Sequence, residues 1–434
     1  MNIGICGIGT VGSGVLSVLQ RNLKIISSRA GSGISVTHIA SRSLKSADKN
    51  IKVSNDVFSV ANDPEVDIVV ELIGGYDVAL DLVLTAISNG KHVVTANKAL
   101  IAVHGNTIFK AAEDANVLVK YEASVAGGIP IIKALSEGLS ANSIEWLAGI
   151  INGTGNYILT EMRDKGRAFE DVLIDAQKLG YAEADPTFDV EGIDAAHKLV
   201  ILSSLAFGIP LNFDACYTEG ISSIKSQDIK YAEELGYQIK HLGITRKTND
   251  GIEMRVHPTL IPKDKLIANV DGVMNAVLIK GDSVGPTLFY GAGAGAEPTA
   301  SSVIADIVDI IRACSDKKIN PISHLSKGLN SVDELQAMPI DDIDCSYYLR
   351  IDVDDKPGVL YLITHILSEK GISIEAVLQK EIKNKSLMSS ADYVAVVLIT
   401  NKTKESTFNS ALKKIQELES VVAKVTTIRV ESLD

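Results

Sequence analysis

Residues 2–6 form a short apolar run that leads straight into Gly7-Ile8-Gly9-Thr10-Val11-Gly12, and helical character follows at 11–21. Glycines at this spacing between a strand and a helix permit a tight turn, close approach of backbone to a ligand and close packing of helix on strand. The unpaired N–H groups and positive dipole end of that helix then face an anion, which in this setting is the pyrophosphate of a dinucleotide. A plain strand-to-helix turn is the alternative, but the elements on either side supply the context that the binding turn requires.

The alternation continues along the chain. Strand candidates at 35–40, 67–72, 92–96 and 118–124 are separated by helical stretches that include 79–89 and 99–115. Apolar strands alternating with helices imply a mostly parallel sheet covered on both faces, an α/β, Rossmann-type doubly wound domain over residues 1–126. Residues 127–300 read as an α+β substrate and dimerisation domain, with strands at 146–151, 251–260 and 274–279 and helices at 169–179 and 191–207. The glycine-rich turn Gly291-Ala292-Gly293-Ala294-Gly295 opens a helix at about 301–318 that returns to the first domain. A polar stretch, 319–344, reads as a linker. The tail, 345–434, orders strand (347–353), helix (359–370), strand (372–379), strand (393–400), helix (404–418) and strand (421–430). That is the βαββαβ plan of a small ferredoxin-like module.

With 434 residues, 46% of them hydrophobic, the chain can fill two or three packed cores, and a disordered chain is excluded. Its 54 acidic and 42 basic residues give a net charge of -12, which argues against nucleic acid or an anionic membrane as partner. The four cysteines lack CxxC spacing and the eight histidines form no HxxxH pair, so neither a disulfide framework nor a zinc site is indicated. No basic stretch precedes an apolar one at the N-terminus, and the longest apolar run, 199–209, is broken by Ser203, Ser204 and Gly208. A cytoplasmic location is expected.

The end of the second strand distinguishes NAD from NADP, because a carboxylate there holds the ribose 2′-hydroxyl whereas an arginine accepts a 2′-phosphate. Here the run is Ala40-Ser41-Arg42-Ser43, with Lys45 nearby and no carboxylate in reach. NADP(H) is favoured over NAD(H) on that basis, a solvated loop arginine being the other reading of Arg42. Thr95-Ala96-Asn97-Lys98 stands at the end of the fourth strand candidate, where ligands of such sheets bind. Lys98 either points to where nicotinamide and substrate meet or is an ordinary helix-start lysine.

The run Gly180-Tyr181-Ala182-Glu183-Ala184-Asp185-Pro186 precedes a helix carrying Asp194 and Lys198. These two are spaced i,i+4 and share one helical face. On a surface such a pair contributes only ~0.3–0.5 kcal/mol. Ala195, Ala196, Leu199, Val200, Ile201, Leu202 and Leu205, however, make the helix apolar nearly all round, which signals burial. Buried charges must be paired or functional, and burial lowers a lysine pKa towards acid/base chemistry near neutral pH. Glu183 could join the pair at a cleft.

These residues resemble the homoserine dehydrogenase family. Its helix–loop–helix signature matches Ala176, Gly180, Asp185-Pro186, Asp189, Gly192, Asp194 and Lys198 in order and spacing. The likeness extends to the glycine turn, to Val93-Val94-Thr95-Ala96-Asn97-Lys98, to Glu122-Ala123-Ser124-Val125-Ala126-Gly127-Gly128-Ile129-Pro130, to Asn152-Gly153-Thr154 and to the glycine-rich run at 289–295. It covers nearly everything up to about residue 318, and Asp355-Lys356-Pro357-Gly358-Val359-Leu360 in the tail resembles an ACT domain, an amino-acid-sensing fold.

The resemblance implies interconversion of L-homoserine and L-aspartate 4-semialdehyde with NAD(P), on the route to threonine, isoleucine and methionine. It makes Lys198 the proton donor and acceptor with Lys98 beside it, and gives the substrate to Gly180, Glu183 and Asp194. It assigns the cofactor to Gly7, Ile8, Gly9, Thr10, Val11, Gly12, Arg42, Thr95, Lys98 and Gly295. A monovalent cation, sodium, is implied at the Glu122 side chain and the carbonyls of Val125, Gly127 and Ile129, oxygen ligands that suit a hard cation. L-threonine, the end product, is expected to inhibit at the ACT domain, and fold analogy implies a homodimer or homotetramer.

One departure is Gly155, where the family commonly has a second threonine after Asn-Gly-Thr. No kinase-sized segment precedes the glycine turn, so a monofunctional enzyme is expected. Another NAD(P)-dependent amino- or hydroxy-acid dehydrogenase of the same plan is the alternative. Aspartate-semialdehyde dehydrogenase needs a cysteine nucleophile, and no cysteine here stands at a strand end with a partnered histidine. A non-catalytic nucleotide and amino-acid sensor would have no use for a buried Asp194 and Lys198.

Overall fold

The computed structural model describes residues 1–42, 50–315, 325, 335–380 and 393–434. The N-terminal domain runs β1 (Asn2–Cys6), α1 (Thr10–Ala30), β2 (Ser35–Ala40), β3 (Lys52–Ser54), α2 (Phe58–Ala61), β4 (Ile68–Glu71), α3 (Asp77–Ser88), β5 (His92–Thr95), α4 (Lys98–Asp114) and β6 (Val119–Lys120). Its sheet has the order β3-β2-β1-β4-β5-β6 with every pair parallel, the doubly wound arrangement expected. Side chains alternate across it. Ile3, Ile5, Ile68, Val70 and Val94 pack with α1 on one face, and Cys6, Val69 and Val93 with α3 and α4 on the other.

The second domain contributes α5 (Ile131–Lys133), β7 (Ile144–Ile150), α6 (Gly153–Lys165), α7 (Phe169–Lys178), α8 (Thr187–Val190), α9 (Ile193–Phe207), β8 (Tyr217–Thr218), α10 (Ser226–Glu234), β9 (Tyr237–Lys247), β10 (Ile252–Pro262), β11 (Met274–Gly281) and β12 (Gly285–Ala292). Next, α11 (Ala296–Ser315) returns to cover the first sheet beside α1. The two helices approach so closely that a Cβ on Gly14 would stand 2.3 Å from the Ala296 carbonyl oxygen.

The C-terminal unit comprises β13 (Asp344–Asp354), α12 (Val359–Glu369), β14 (Ile374–Gln379), β15 (Tyr393–Thr400), β16 (Thr403–Lys404), α13 (Glu405–Gln416) and β17 (Thr426–Val430), and so has the βαββαβ order. It does not stand apart. β17 pairs in parallel with β10 at Thr259↔Arg429 and Leu260↔Val430, fusing both sheets along the path β12-β11-β7-β9-β10-β17-β13-β15-β14. Buried ion pairs reinforce the seam: Arg350 Nε to Asp228 Oδ1 at 2.6 Å, and Arg255 Nη2 to Glu431 Oε1 at 2.5 Å.

Several elements differ from the sequence reading. The strand expected at 118–124 ends at Lys120, because buried Glu122 turns its carboxylate to the N–H groups of Ile132 and Lys133. Gly291 and Ala292 finish β12 rather than forming a turn, and α11 begins at Ala296. Most of the expected linker lies outside the described residues, as do 316–318 of the expected return helix. Its described end is ordered against the sheet, with Ala337 bridging Ile252. Among the described residues no helix is long and apolar enough to cross a membrane.

Candidate functional site

At the carboxyl ends of β1 and β4 the strand order reverses, and a cleft of about 770 Å³ opens there, lined by Gly7, Gly9, Ser41, Arg42, Asp56 and Gly74 among others. Gly7 has φ +102°, and a Cβ there would lie 2.6 Å from the Leu72 carbonyl oxygen. A Cβ on Gly12 would lie 2.1 Å from the Gly7 carbonyl oxygen, whereas one on Gly9 would stand in open space. The first and third glycines thus close the turn and the second leaves the cleft free. No side chain caps α1, whose N-terminus begins at Thr10 beside Val11 and behind Ile8.

Arg42 is exposed on the cleft wall next to buried Ser41, while Ser43 and Lys45 lie outside the described residues. Thr95 is buried, and its hydroxyl donates to Glu71 at 2.5 Å while accepting from the Asn97 N–H at 3.0 Å. Glu71 also accepts from the N–H groups of Ile73 and Gly74, and burial raises its pKa. Glu71 and Thr95 therefore tie the loops after β4 and β5 together beneath the cleft. Gly295, at φ +124°, is exposed just before α11.

Beyond the carboxyl end of β5 two helices meet. Asn97 caps α4 by accepting from the Leu100 N–H at 3.1 Å, which fixes Lys98 at the first turn. Gly192, at φ +84°, starts α9, and nearly every residue of α9 is buried. Asp194 is 2% exposed. Its Oδ1 pairs with Lys98 Nζ at 2.6 Å and its Oδ2 with Lys198 Nζ at 2.7 Å. Lys198 also donates to the Ile151 carbonyl at 2.7 Å. Asn152 caps α6 with its oxygen and spends its amide on Asp194 (2.8 Å) and Asp189 (2.7 Å).

The electrostatics separate the two lysines. Burial would raise the Asp194 carboxyl, but Lys198 and Lys98 together hold it far below the usual carboxylate range. For Lys198 burial dominates and lowers the pKa, aided by the charge of Lys98 and opposed by Asp194. For Lys98, 35% exposed at its side chain, the desolvation is outweighed by Asp194 and the pKa rises. Lys98 thus remains an ammonium while Lys198 is the group able to release its proton. Beside them His197 stacks on Phe213 (4.3 Å) and Phe188 (5.4 Å), and burial lowers it to about 4, so the ring is neutral.

The other candidates fall elsewhere. Glu183 is exposed in the loop before α8 and forms no ion pair with either lysine, adding only attraction at longer range to Lys98. It stands at the edge of the lysine pair without a direct contact to it. Gly180 is a left-handed, exposed residue after α7. Glu122 is buried under α5, and burial raises its carboxyl to about 7. The Gly127 carbonyl accepts from Ser302 at 2.6 Å and that of Ile129 from the Ile131 N–H at 2.7 Å, while Val125 is buried beside them.

A doubly wound domain with this glycine turn, facing a second domain that buries a lysine–aspartate–lysine bridge at the strand ends, is the plan of an NAD-binding oxidoreductase. Family profiles agree: homoserine dehydrogenase, NAD binding domain, over residues 7–122; homoserine dehydrogenase over 130–308; and ACT domain over 347–418. The chain belongs to the homoserine dehydrogenase family. It is 58% identical to the homoserine dehydrogenase of Pseudomonas aeruginosa over 100% of this chain and 99% of that one. A crystal structure of a homoserine dehydrogenase from Thiobacillus denitrificans matches with TM-score 0.94 at 55% identity, covering 100% of this chain and 99% of that chain. A hyperthermophilic archaeal homoserine dehydrogenase, solved in complex with NADPH, matches with TM-score 0.61 at 25% identity over 71% of this chain and 97% of its own.

Proposed function

We propose that this enzyme interconverts L-homoserine and L-aspartate 4-semialdehyde by hydride transfer, on the route to threonine, isoleucine and methionine, with NADP(H) preferred to NAD(H). The observation that carries the reading is the Asp194 carboxylate bridging Lys98 from one domain and Lys198 from the other. The glycine turn with open space over Gly9 fits a dinucleotide, whose nicotinamide supplies the hydride acceptor or donor when bound. In the oxidation direction Lys198 Nζ takes the substrate hydroxyl proton as the carbon loses hydride, and in reduction it returns that proton to the carbonyl oxygen. Lys98, kept charged by Asp194, stabilises negative charge developing on that oxygen. Glu183, at the edge of the site, and the turn at Gly180 receive the substrate's amino end.

Arg42 and Ser41, with no carboxylate at the end of β2, support the NADP preference. Glu122 and the carbonyls of Val125, Gly127 and Ile129 each keep a lone pair beyond their protein donors, and sodium there would neutralise a buried carboxyl. We read the ACT domain as a sensor for L-threonine and the location as cytoplasmic. A dimer or tetramer is supported by β12, the edge strand of its sheet among the described residues, where Tyr290 is exposed, as is Val284 in the turn before it. Homoserine-dependent reduction of NADP, followed by absorbance and repeated with NAD, tests the central reading; failure to reduce either cofactor overturns it.

A further inference from the structure

The end of β2 carries no carboxylate, but the fold brings one beside it. β2 and β3 pair in parallel with Ala40 opposite Ser54, and the Ser41 N–H donates to the Ser54 carbonyl at 2.8 Å. Two residues beyond that pair stand Arg42 and Asp56, leaving neighbouring strands that run about 4.8 Å apart. Both are exposed on the wall of the cleft that Gly7 and Gly9 also line. They are too distant in the chain for any local pattern to join them.

One Asp56 oxygen is committed. Oδ1 accepts the Phe58 N–H at 3.0 Å, while the Asp56 N–H donates to the Ser54 hydroxyl at 3.0 Å. These bonds fix the loop and leave Oδ2 with no donor among the described residues. The charge is felt at the cleft floor: burial chiefly raises the pKa of the Cys6 thiol at the end of β1, and Glu71 and Asp56 add to the rise. Among the described residues no ion pair joins Asp56 to Arg42, so both charges are open to a ligand.

We propose that Asp56 is a specificity-determining residue for the cofactor, acting against Arg42. Its Oδ2 accepts the adenosine ribose 2′-hydroxyl of NAD, the role that a carboxylate at the end of the second strand plays in other sheets of this plan. The same charge repels the 2′-phosphate of NADP, a phosphate monoester with about −1.5 to −2 charges at pH 7. Arg42 attracts that phosphate. The two side chains together set a ratio: Arg42 favours NADP, and Asp56 keeps NAD in use.

A role confined to fixing the loop needs Oδ1 and no charge, since an asparagine oxygen also accepts the Phe58 N–H. Asp56→Asn therefore keeps the loop and removes the charge. The neutral amide no longer repels the 2′-phosphate and can donate to it. It binds the ribose hydroxyl more weakly than a carboxylate does, because the charge-assisted bond is the stronger one. Both changes move the balance in the same direction, towards NADP.

This inference rests on the reading that the cleft holds NAD(P) with Arg42 at the ribose 2′-position, so Arg42→Ala is measured beside Asp56→Asn. The test is equilibrium titration of the full-length enzyme with NADPH and with NADH, followed by nucleotide fluorescence. Asp56→Asn should tighten NADPH by about threefold and weaken NADH by about threefold, a change of about tenfold in the ratio of Kd values. The gain for NADPH should shrink between about 0.05 M and about 0.5 M salt, where charges on exposed groups become screened. In calorimetry adenosine 2′,5′-bisphosphate should follow NADPH and adenosine 5′-monophosphate NADH, which confines the effect to the adenosine end. If Asp56→Asn leaves the ratio within about twofold of the parent while Arg42→Ala lowers the preference for NADPH, Asp56 only fixes the loop and the proposal is overturned. If Arg42→Ala leaves the ratio unchanged as well, the reading of Arg42 falls with it.

Discussion

If Lys198 relays the substrate proton, removing its amine should slow the enzyme without unfolding it. In Lys198→Ala the Asp194 carboxylate keeps Lys98 at 2.6 Å and Asn152 at 2.8 Å, so it is not stranded. The melting temperature should therefore move far less than it would for a buried charge left alone, which costs about 3–5 kcal/mol. Turnover should fall by roughly 10²–10⁴-fold, the usual contribution of a positioned acid or base, or about 2.7–5.4 kcal/mol in the barrier. Lys198→Arg separates proton transfer from electrostatics, since it keeps the charge beside Asp194 but cannot deprotonate at working pH.

The pH profile follows from the same burial. Oxidation of homoserine needs the neutral amine, so its rate rises as pH passes through the Lys198 pKa, which lies below the ordinary 10.5. Lys198→Arg should lose that rising limb altogether. The assay is initial-rate reduction of NADP across pH at saturating homoserine, with melting curves as the folding control. Turnover of Lys198→Arg within about tenfold of the parent, with the limb retained, would refute the assignment.

Three further perturbations test the surrounding structure. Gly12→Ala drives a Cβ to 2.1 Å from the Gly7 carbonyl oxygen and should weaken NADPH binding by about tenfold or more in a fluorescence titration; an unchanged Kd would show that the turn does not hold the pyrophosphate. Arg42→Asp should lower the NADP-to-NAD ratio of kcat/KM by about tenfold or more, and a constant ratio would leave Arg42 a solvated loop residue. Arg350→Met leaves the fully buried Asp228 carboxylate between α10 and β13 with the Tyr348 hydroxyl and the Lys225 N–H but no counter-charge, and should cost about 3–5 kcal/mol in denaturant unfolding; a loss under about 1 kcal/mol would mean the C-terminal unit is not locked on by this pair.

What the sequence disclosed followed the reach of each signal. The glycine turn, the helix of Asp194 and Lys198, and the βαββαβ tail were legible because their patterns are local. β9 was not, because Lys240 and His241 are buried in mid-strand where the period-two pattern demands apolar side chains; Lys240 escapes by donating to the Val270 carbonyl (2.6 Å) and Asp271 (2.8 Å). β3, at three residues, is too short for any period. Loop residues have no periodicity to fix where they point, so the sequence leaves open how near Glu183 comes to the lysines, and it is exposed at their edge. Asn152 could have been flagged as a cap after an apolar strand, but nothing local says that its amide would gather Asp189 and Asp194. The junction of β10 with β17 has no local signature either, since 170 positions separate Thr259 from Arg429.

The lysine pair also ties chemistry to the relation of the two domains. Lys98 belongs to α4 and Asp194 to α9, two helices that share one buried core, so their 2.6 Å contact joins the domains directly. Without Lys98, Asp194 keeps Lys198 and Asn152, and its carboxylate stays satisfied. Lys198 changes more. The charge of Lys98 lowers its pKa, so removing Lys98 removes that repulsion and leaves all of Asp194's attraction to Lys198. Both effects raise the Lys198 pKa, so Lys98 helps to keep Lys198 able to release its proton. Lys98→Met should move the rising limb of homoserine oxidation to higher pH and lower the rate near neutrality more than at alkaline pH. A limb that stays in place while the rate falls equally at every pH would show that Lys98 acts on the substrate alone and leaves the proton affinity of Lys198 untouched.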